Sequence, residues 1–309
     1  MINTNEFYFT SADGAARIYV KEWLPHEEPS AVLIFAHGLG DHVERYSDFA
    51  TFLAKYGVLV AGPDHPGHGK TAGSPEKLGF FAEENGWQTM VDNLHILQTM
   101  EQEAHPGVPV FLMGQGMGAL LVRCYTMDYC DELSGAILCG CGDQPETLIR
   151  AGRILAAAEA KRFGPQHRSM GLERLLFGAF NRKFAPNRTK FDWLSRDEDE
   201  VNAFIYDPES GFIPTVSAFR DLLCGMARAQ NRRNQSKVMP NLPMFILSGE
   251  MDPVGGGGRN VQKMVHALQD AGVQKLTVKL YADGRHDLLH ELNRGQVHSD
   301  ILTWLGNRL

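Results

Sequence analysis

Cysteine, long apolar runs and surplus basic charge are all scarce in this chain, and each scarcity excludes a class of protein. Only five of its 309 residues are cysteine (Cys124, Cys130, Cys139, Cys141 and Cys224). That odd, sparse set does not suit a disulfide scaffold, and Cys139 and Cys141 lack the paired spacing of a zinc site. Reduced, buried thiols are expected. The longest apolar runs, such as Ala31 to Ala36 and Val58 to Ala61, fall far short of the roughly 18 residues a spanning helix needs, so no integral membrane segment is expected. The opening MINTNEFYFTSADG has no basic stretch followed by an apolar one, so no export signal is read and the cytoplasm is the expected location. Thirty basic against 37 acidic residues give a net charge of −7. This removes the electrostatic basis for gripping a nucleic-acid backbone or an anionic bilayer with the whole surface, and points to a small-molecule partner.

What is present is ordinary globular composition, with 43% hydrophobic and 22% charged residues, enough to bury a core. Short apolar runs alternate with amphipathic stretches from residue 31 to about 142, the signature of βαβ units around a parallel sheet. AVLIF at 31–35, VLVAG at 58–62, PVFLM at 109–113 and AILC at 136–139 read as strands. Their unbroken apolar character fits strands covered by helices on both faces. Tyr46, Phe49, Ala50, Leu53 and Ala54 share one helical stripe. After residue 258, Val261, Met264, Val265 and Leu268 mark a helix, LTVKLY at 276–281 a strand, and Val297, Ile301, Trp304 and Leu305 a closing helix.

Residues 143–216 break this rhythm, so they are read as a helical cap inserted between core segments 1–142 and 217–309. The insertion's charge is segregated: residues 161–190 carry eight basic side chains against Glu173, and residues 191–210 carry seven acidic ones against Arg196. Either the two halves pair or are solvated, or they form a mouth that attracts an anionic head group. Phe163, Phe177, Phe180, Phe184, Phe191, Trp193, Phe204, Tyr206 and Phe212 also fall here. Most are expected to pack the insertion onto the sheet and a few to line an acyl pocket.

The segment FLMGQGMGALL at 111–121 reads as strand, Gly-rich turn and helix. In a nucleophile elbow, Gly-x-Ser-x-Gly, the central residue sits in a strained conformation at the tip of a tight turn, and its small neighbours let strand and helix approach. Gly114 and Gly118 fill the flanking positions, but the central one is Gly116, which has no side chain with which to attack a carbonyl. PMFILSGEMDP at 243–253 is a strand followed by Asp252, and the loop after the strand at 276–281 presents His286. The order elbow, Asp, His is that of α/β-hydrolases, with His286 as general base and acid and Asp252 fixing its tautomer. HGLGDH at 37–42 follows the strand at 31–35, so Leu39 N–H and Met117 N–H are the expected oxyanion-hole donors. His65 and His68 lie three apart, but Pro66 and Gly67 between them mark a tight turn and no further ligand is evident; no metal or cofactor is expected.

With HGLGDHVERY at 37–46, DHPGHGKTAG at 64–73, GQGMGA at 114–119, FAPNRTKFDWLSRD at 184–197, GEMDPVG at 249–255 and YADGRHDLLHE at 281–291, the chain resembles the monoacylglycerol lipase and lysophospholipase branch of the α/β-hydrolases, bacterial members above all. The resemblance implies an α/β-hydrolase fold, a mostly parallel eight-stranded sheet with helices on both faces and a helical cap. It also implies Asp252 and His286 as triad members, Leu39 and Met117 as oxyanion donors, and a serine at position 116, where this chain has glycine. Two functions are expected on that basis. One is a serine-hydrolase scaffold for esters of a single acyl chain, disarmed at position 116 and therefore inactive or nearly so. The other is a natural non-catalytic binder of an acyl lipid or ester.

Overall fold

The computed structural model describes residues 2–309. Its strands are β1 (Asn3–Thr10), β2 (Arg17–Leu24), β3 (Ala31–Ala36), β4 (Val58–Pro63), β5 (Val110–Gln115), β6 (Gly135–Cys139), β7 (Met244–Gly249) and β8 (Leu276–Tyr281). They form one eight-stranded sheet in the order β1-β2-β4-β3-β5-β6-β7-β8. The β1–β2 and β2–β4 pairings are antiparallel and every other pairing is parallel. The helices are α1 (Ser47–Ala54), α2 (Gly69–Ala72), α3 (Gly86–Ala104), α4 (Met117–Tyr125), α5 (Glu146–Phe163), α6 (Met170–Phe177), α7 (Glu198–Tyr206), α8 (Val216–Ala229), α9 (Arg232–Gln235), α10 (Arg259–Asp270) and α11 (Arg294–Gly306). A mostly parallel sheet covered by helices on both faces is the α/β-hydrolase fold.

The five apolar runs singled out in the sequence coincide with β3 to β7 and LTVKLY with β8, and β3 shows why the runs do not alternate. Val32 and Ile34 pack with Leu94 and Leu121, from α3 and α4, on one face. Leu33 and Phe35 pack with Tyr46 and Phe49 on the other. Burial on both faces demands an apolar residue at every position. β1 and β2 are not visible as apolar runs, for the opposite reason. β1 is an exposed edge strand. β2 buries two charged residues, Lys21 paired with Glu44 at 2.7 Å and Glu22 accepting a hydrogen bond from Asn5 Nδ2 at 2.8 Å.

Between β6 and β7 the chain leaves the sheet for α5, α6 and α7. Ile149, Leu172 and Leu176 from α5 and α6 form a small separate core with Phe219 and Leu223 of α8. Ala218 and Leu222 of the same α8 enter the main core, so this one helix seats the added layer on the sheet. Among the described residues the basic and acidic halves of the segment share a single ion pair, Arg188–Glu198 at 3.5 Å. Asp197 and Glu200 turn instead to Arg294 of α11, so pairing between the halves, one of the alternatives read from the sequence, is limited to the Arg188–Glu198 contact.

All five cysteines are free, but Cys224 is exposed, contrary to the expectation that the whole set is buried. It lies on α8, whose other faces carry the packing. No helix among the described residues is long and apolar enough to cross a membrane.

A tight backbone junction joins β5, α4 and the end of β3. A β-carbon on Gly114 would overlap the Gly118 carbonyl group, and one on Gly118 would overlap the carbonyl oxygen of Ala36. Only glycine permits that approach, so Gly118→Ala is expected to destabilise the protein by about 3 kcal/mol or more, since the obstacle is backbone and cannot rotate away. Equilibrium denaturation in urea measures this, and a loss below about 1 kcal/mol would contradict the packing described. Gly116 has φ 56°, a region that costs a side-chain-bearing residue about 1 to 3 kcal/mol. Gly116→Ser is therefore expected to lower the melting temperature, and a clear rise would show that the turn is unstrained.

Candidate active site

Position 116 is the tip of the turn between β5 and α4. Its φ of 56° and ψ of −111° fit no regular element, and its N–H donates to the Cys139 carbonyl at 2.9 Å, which ties the turn to the end of β6. A β-carbon there would point at His286, with Nε2 3.0 Å away. The imidazole is held from its far side, where Nδ1 lies 3.1 Å from Asp252 Oδ1. A carboxylate only accepts, so Nδ1 carries the proton and Nε2 is left free to take another. Asp252 is fully buried and also accepts the Val254 N–H at 2.8 Å. Burial by itself would lower the pKa of His286, but the charge and hydrogen bond of Asp252 outweigh it and the net shift is upward.

Met117 is the first residue of α4, so its N–H is among the donors the helix cannot pair internally. Leu39, Gly116, Met117 and His286 all line one cavity of about 710 Å³. The structure thus brings together all five residues singled out in the sequence: Leu39, Gly116 and Met117 at the cavity wall, with His286 beside them and Asp252 behind it.

The loop carrying Leu39 is held by two of the histidines. His37 Nδ1–H donates to the Gly38 carbonyl at 2.8 Å and its Nε2 accepts the His65 N–H at 3.0 Å. His68 Nδ1–H donates to the Pro66 carbonyl at 3.0 Å, and its Nε2 accepts the Gly40 N–H at 3.2 Å. Both patterns require neutral rings. Burial supplies them, pushing His37 down to about 4 and His68 down to about 3. The ring nitrogens of His68 are thus both engaged in fixing backbone.

Several neighbours of the site carry no sequence motif of their own. Gln115, which precedes the turn tip, donates from Nε2 to the His286 carbonyl at 3.0 Å. The His286 loop is fastened to the inserted segment as well: Asp287 N–H donates to the Leu194 carbonyl at 2.7 Å, and the Trp193 and His286 rings lie 4.9 Å apart. Behind it, Glu291 is buried and accepts from Arg196 Nε at 2.9 Å and from the Arg285 N–H at 3.0 Å. Asp41 pairs with Arg45 at 3.0 Å and accepts from the Tyr46 hydroxyl at 2.7 Å. His290 faces acceptors on both nitrogens, Asp287 Oδ2 at 2.8 Å and the Arg45 carbonyl at 2.9 Å, so it is a cation. Burial opposes that charge, but Asp287 outweighs it and raises the pKa. The one signal that could have revealed this network is the density of charged residues in HGLGDHVERY and RHDLLHE, which apolar packing does not explain.

One further sequence expectation needs adjustment, and another, that Cys139 and Cys141 are buried thiols, agrees with the structure. Six of the nine aromatic residues of the insertion (Phe177, Phe180, Phe191, Trp193, Phe204 and Phe212) line the cavity, whereas Phe163 and Tyr206 are exposed. Lining is therefore the rule for these rings. Cys139 and Cys141 are buried among apolar neighbours, which drives both thiols up, Cys141 to about 12. Neither is a thiolate near neutral pH.

Comparison with known proteins gives relatives along the whole chain. It is 27% identical over 299 residues to a monoglyceride lipase homolog of Monkeypox virus, covering 94% of this chain and 95% of that one. It is 25% identical over 300 residues to a monoacylglycerol lipase of Mycolicibacterium smegmatis, covering 96% and 95%. A solved thermostable carboxyl esterase from Bacillus coagulans, in complex with glycerol, superposes with a TM-score of 0.92 at 26% identity, covering 99% of both chains. Residues 27–293 match the Hydrolase_4 family, described as serine aminopeptidase, S33. With that match spanning most of its length on an α/β-hydrolase fold, the chain belongs to the Hydrolase_4 family.

Proposed function

We propose that this chain is a carboxylic-ester hydrolase scaffold for monoacyl substrates in which glycine holds the nucleophile position, so that it binds its ester and turns it over very slowly or not at all. The observation that carries this reading is the geometry around Gly116. The β-carbon direction of a residue in a side-chain-poor turn is aimed at His286 Nε2 at 3.0 Å, and Nδ1 of that ring is bonded to buried Asp252. The helices from 146 to 206 act as the cap, and the aromatic wall they add to the cavity suits an acyl chain. The lipase and esterase names of the relatives point the same way.

The chemistry is set by these positions. A serine hydroxyl at 116 would attack the ester carbonyl while His286 Nε2 takes its proton, with Asp252 stabilising the imidazolium. The Leu39 and Met117 N–H groups would receive the negative charge of the tetrahedral intermediate. His286 would then protonate the departing alcohol, and a water activated at the same nitrogen would release the acid. Glycine removes the first step and leaves the rest of the apparatus standing. The slow route that remains is direct attack by a water activated by His286. Losing a triad serine costs on the order of 10⁶ in kcat, so this route is weak.

The retained His286–Asp252 pair favours a disarmed hydrolase over a protein whose only task is binding, because binding an ester requires no base. The reading is tested with a series of p-nitrophenyl esters of increasing chain length. Gly116→Ser is expected to raise kcat/KM by several orders of magnitude, and adding His286→Ala to abolish the gain. No gain at any chain length would overturn the catalytic reading and leave a binding protein.

The pH profile gives an independent check. His286 must be neutral to act as base, so activity of Gly116→Ser is expected to fall as pH drops through a midpoint above the ordinary imidazole value of 6.5. Adding Asp252→Asn removes the charge that raises it and is expected to move the midpoint to lower pH as well as to depress kcat. Profiles of kcat/KM between about pH 5 and 9 measure both. An acid limb that stays in place when Asp252 is neutralised would show that His286 is not the titrating base.

A further inference from the structure

Residues 285–290, which carry His286, contain no regular element beyond one short 3-10 turn, Leu288–His290. A stretch without a ladder or helix of its own is placed by what it touches, and here much of that is the inserted segment. His286 N–H donates to the Trp193 carbonyl at 3.3 Å and Asp287 N–H to the Leu194 carbonyl at 2.7 Å. The Ser195 hydroxyl donates to the His290 carbonyl at 2.8 Å. Arg285 Nη1 donates to the Asp192 carbonyl and, at 3.0 Å, to that of Ser195. Residues 192–196 thus form a strap along the His286 loop. The strap is continuous with the chain that follows α6, since Trp193 N–H donates to Asn181 Oδ1 at 2.8 Å and the Trp193 and Phe180 rings lie 4.9 Å apart.

One buried carboxylate joins strap and loop. Glu291 has no exposed surface. Its Oε1 accepts two main-chain N–H groups, that of Arg285 at 3.0 Å and that of Arg196 at 3.1 Å. Its Oε2 accepts Arg196 Nε and the Leu292 N–H, both at 2.9 Å. A carboxylate offers about four acceptor sites, and a buried one is tolerable only when they are met. All four bonds here go to the strap, to the residue before His286 or to the residue after Glu291. Neither Glu291 nor Arg196 lines the cavity, so any effect on chemistry passes through the residues they hold.

We propose that Glu291 is a positioning residue for His286: it joins residue 285 to the strap at residue 196, so that the imidazole keeps its place between Asp252 and position 116 only while the inserted segment is docked. This rests on the reading of His286 as the base and adds what holds that base. The demand on position is strict, because a displacement of about 1 Å at a reacting group can cost on the order of 10² in rate.

The test reads His286 directly, in the chain as it stands. In proton NMR the Nδ1–H held by Asp252 is observed far downfield and identified by its absence in His286→Ala. Glu291→Gln keeps the shape of the side chain but turns one acceptor oxygen into a donor. Arg196→Met removes the strap's guanidinium and leaves the carboxylate in place. Both are expected to broaden or abolish the resonance at a temperature where circular dichroism shows the fold intact. Lys279→Met, which breaks the 2.6 Å ion pair to Asp300 on edge strand β8, is expected to leave it sharp. In a Gly116→Ser background the first two substitutions are expected to lower kcat at least about tenfold while KM changes by less than about threefold.

A sharp, unmoved resonance in both Glu291→Gln and Arg196→Met would overturn the proposal, and if Glu291→Gln does not fold, Arg196→Met alone decides in the same way. Loss in Glu291→Gln but not in Arg196→Met would show that Glu291 holds the loop without the strap, which overturns the coupling. Loss in Lys279→Met as well would show that any lost ion pair has this effect, which also overturns it. Absence of the resonance from the unsubstituted chain would instead sink the reading of His286 as a base held by Asp252. If the resonance responds as expected but Gly116→Ser is inactive, the hydrolase reading fails and the positioning of His286 by Glu291 stands.

Discussion

The site depends on a close approach of backbones, where β5 turns into α4 against the end of β3. With no β-carbon at Gly114 or Gly118, the helix start can lie against the carbonyl groups of Ala36 and His37. That one contact has three consequences. Gly116, midway between the two glycines, takes a positive φ, and a β-carbon there would point at His286. Met117, the first residue of α4, lines the same cavity as His286. And the loop that leaves β3, with Leu39 in it, is held beside both. His37 and His68 complete the arrangement by pinning that loop through neutral rings, a state that burial enforces.

Electrostatics is organised in depth around this junction. Innermost is the His286–Asp252 pair, in which a fully buried carboxylate sustains a raised imidazole pKa against desolvation. Around it lies a buried set of two anions and two cations, Asp41, Arg45, Asp287 and His290, each within ion-pair distance of a counter-charge. Such groups are costly to bury singly and tolerable together, because the desolvation penalty is offset only when every charge finds a partner. They also join turn and loop segments distant in sequence, the 41–45 stretch and the 286–290 loop, into one rigid wall. Arg174, Arg182 and Lys190 of the inserted segment line the same cavity without an ion-pair partner among the described residues. The charges of Asp41, Arg45, Asp287 and His290 thus cancel among themselves.

Much of the framework was legible in the residues themselves. Strands β3 to β7 announce themselves as continuous apolar runs because both of their faces are buried, whereas the edge strand β8 is half exposed and mixes Thr277 and Lys279 into LTVKLY, which it matches end to end. Helices α1, α10 and α11 are each marked by a single apolar stripe. β1 and β2 stayed hidden because an edge strand needs no apolar pattern and because Lys21 and Glu22 occupy buried positions in pairs. The fate of the inserted aromatic residues was also unreadable. Whether a phenylalanine packs inward or lines a cavity depends on the angle at which α5 and α6 sit on α8, and no local pattern encodes that angle.

The sequence by itself determined the fold class, the order of elbow, Asp252 and His286, and the absence of a hydroxyl at position 116. These are properties of local pattern and of residue chemistry, and a glycine cannot become a nucleophile in any fold. The tertiary structure alone decided that the histidine reaches the turn tip, with Nε2 3.0 Å from where a β-carbon at 116 would lie. It also decided which of the insertion's charges remain free. Ion pairing is settled by which surfaces meet, and Arg294, which captures Asp197 and Glu200, lies about a hundred residues further along the chain. Proximity of that kind comes from packing over the whole chain, which no single segment specifies.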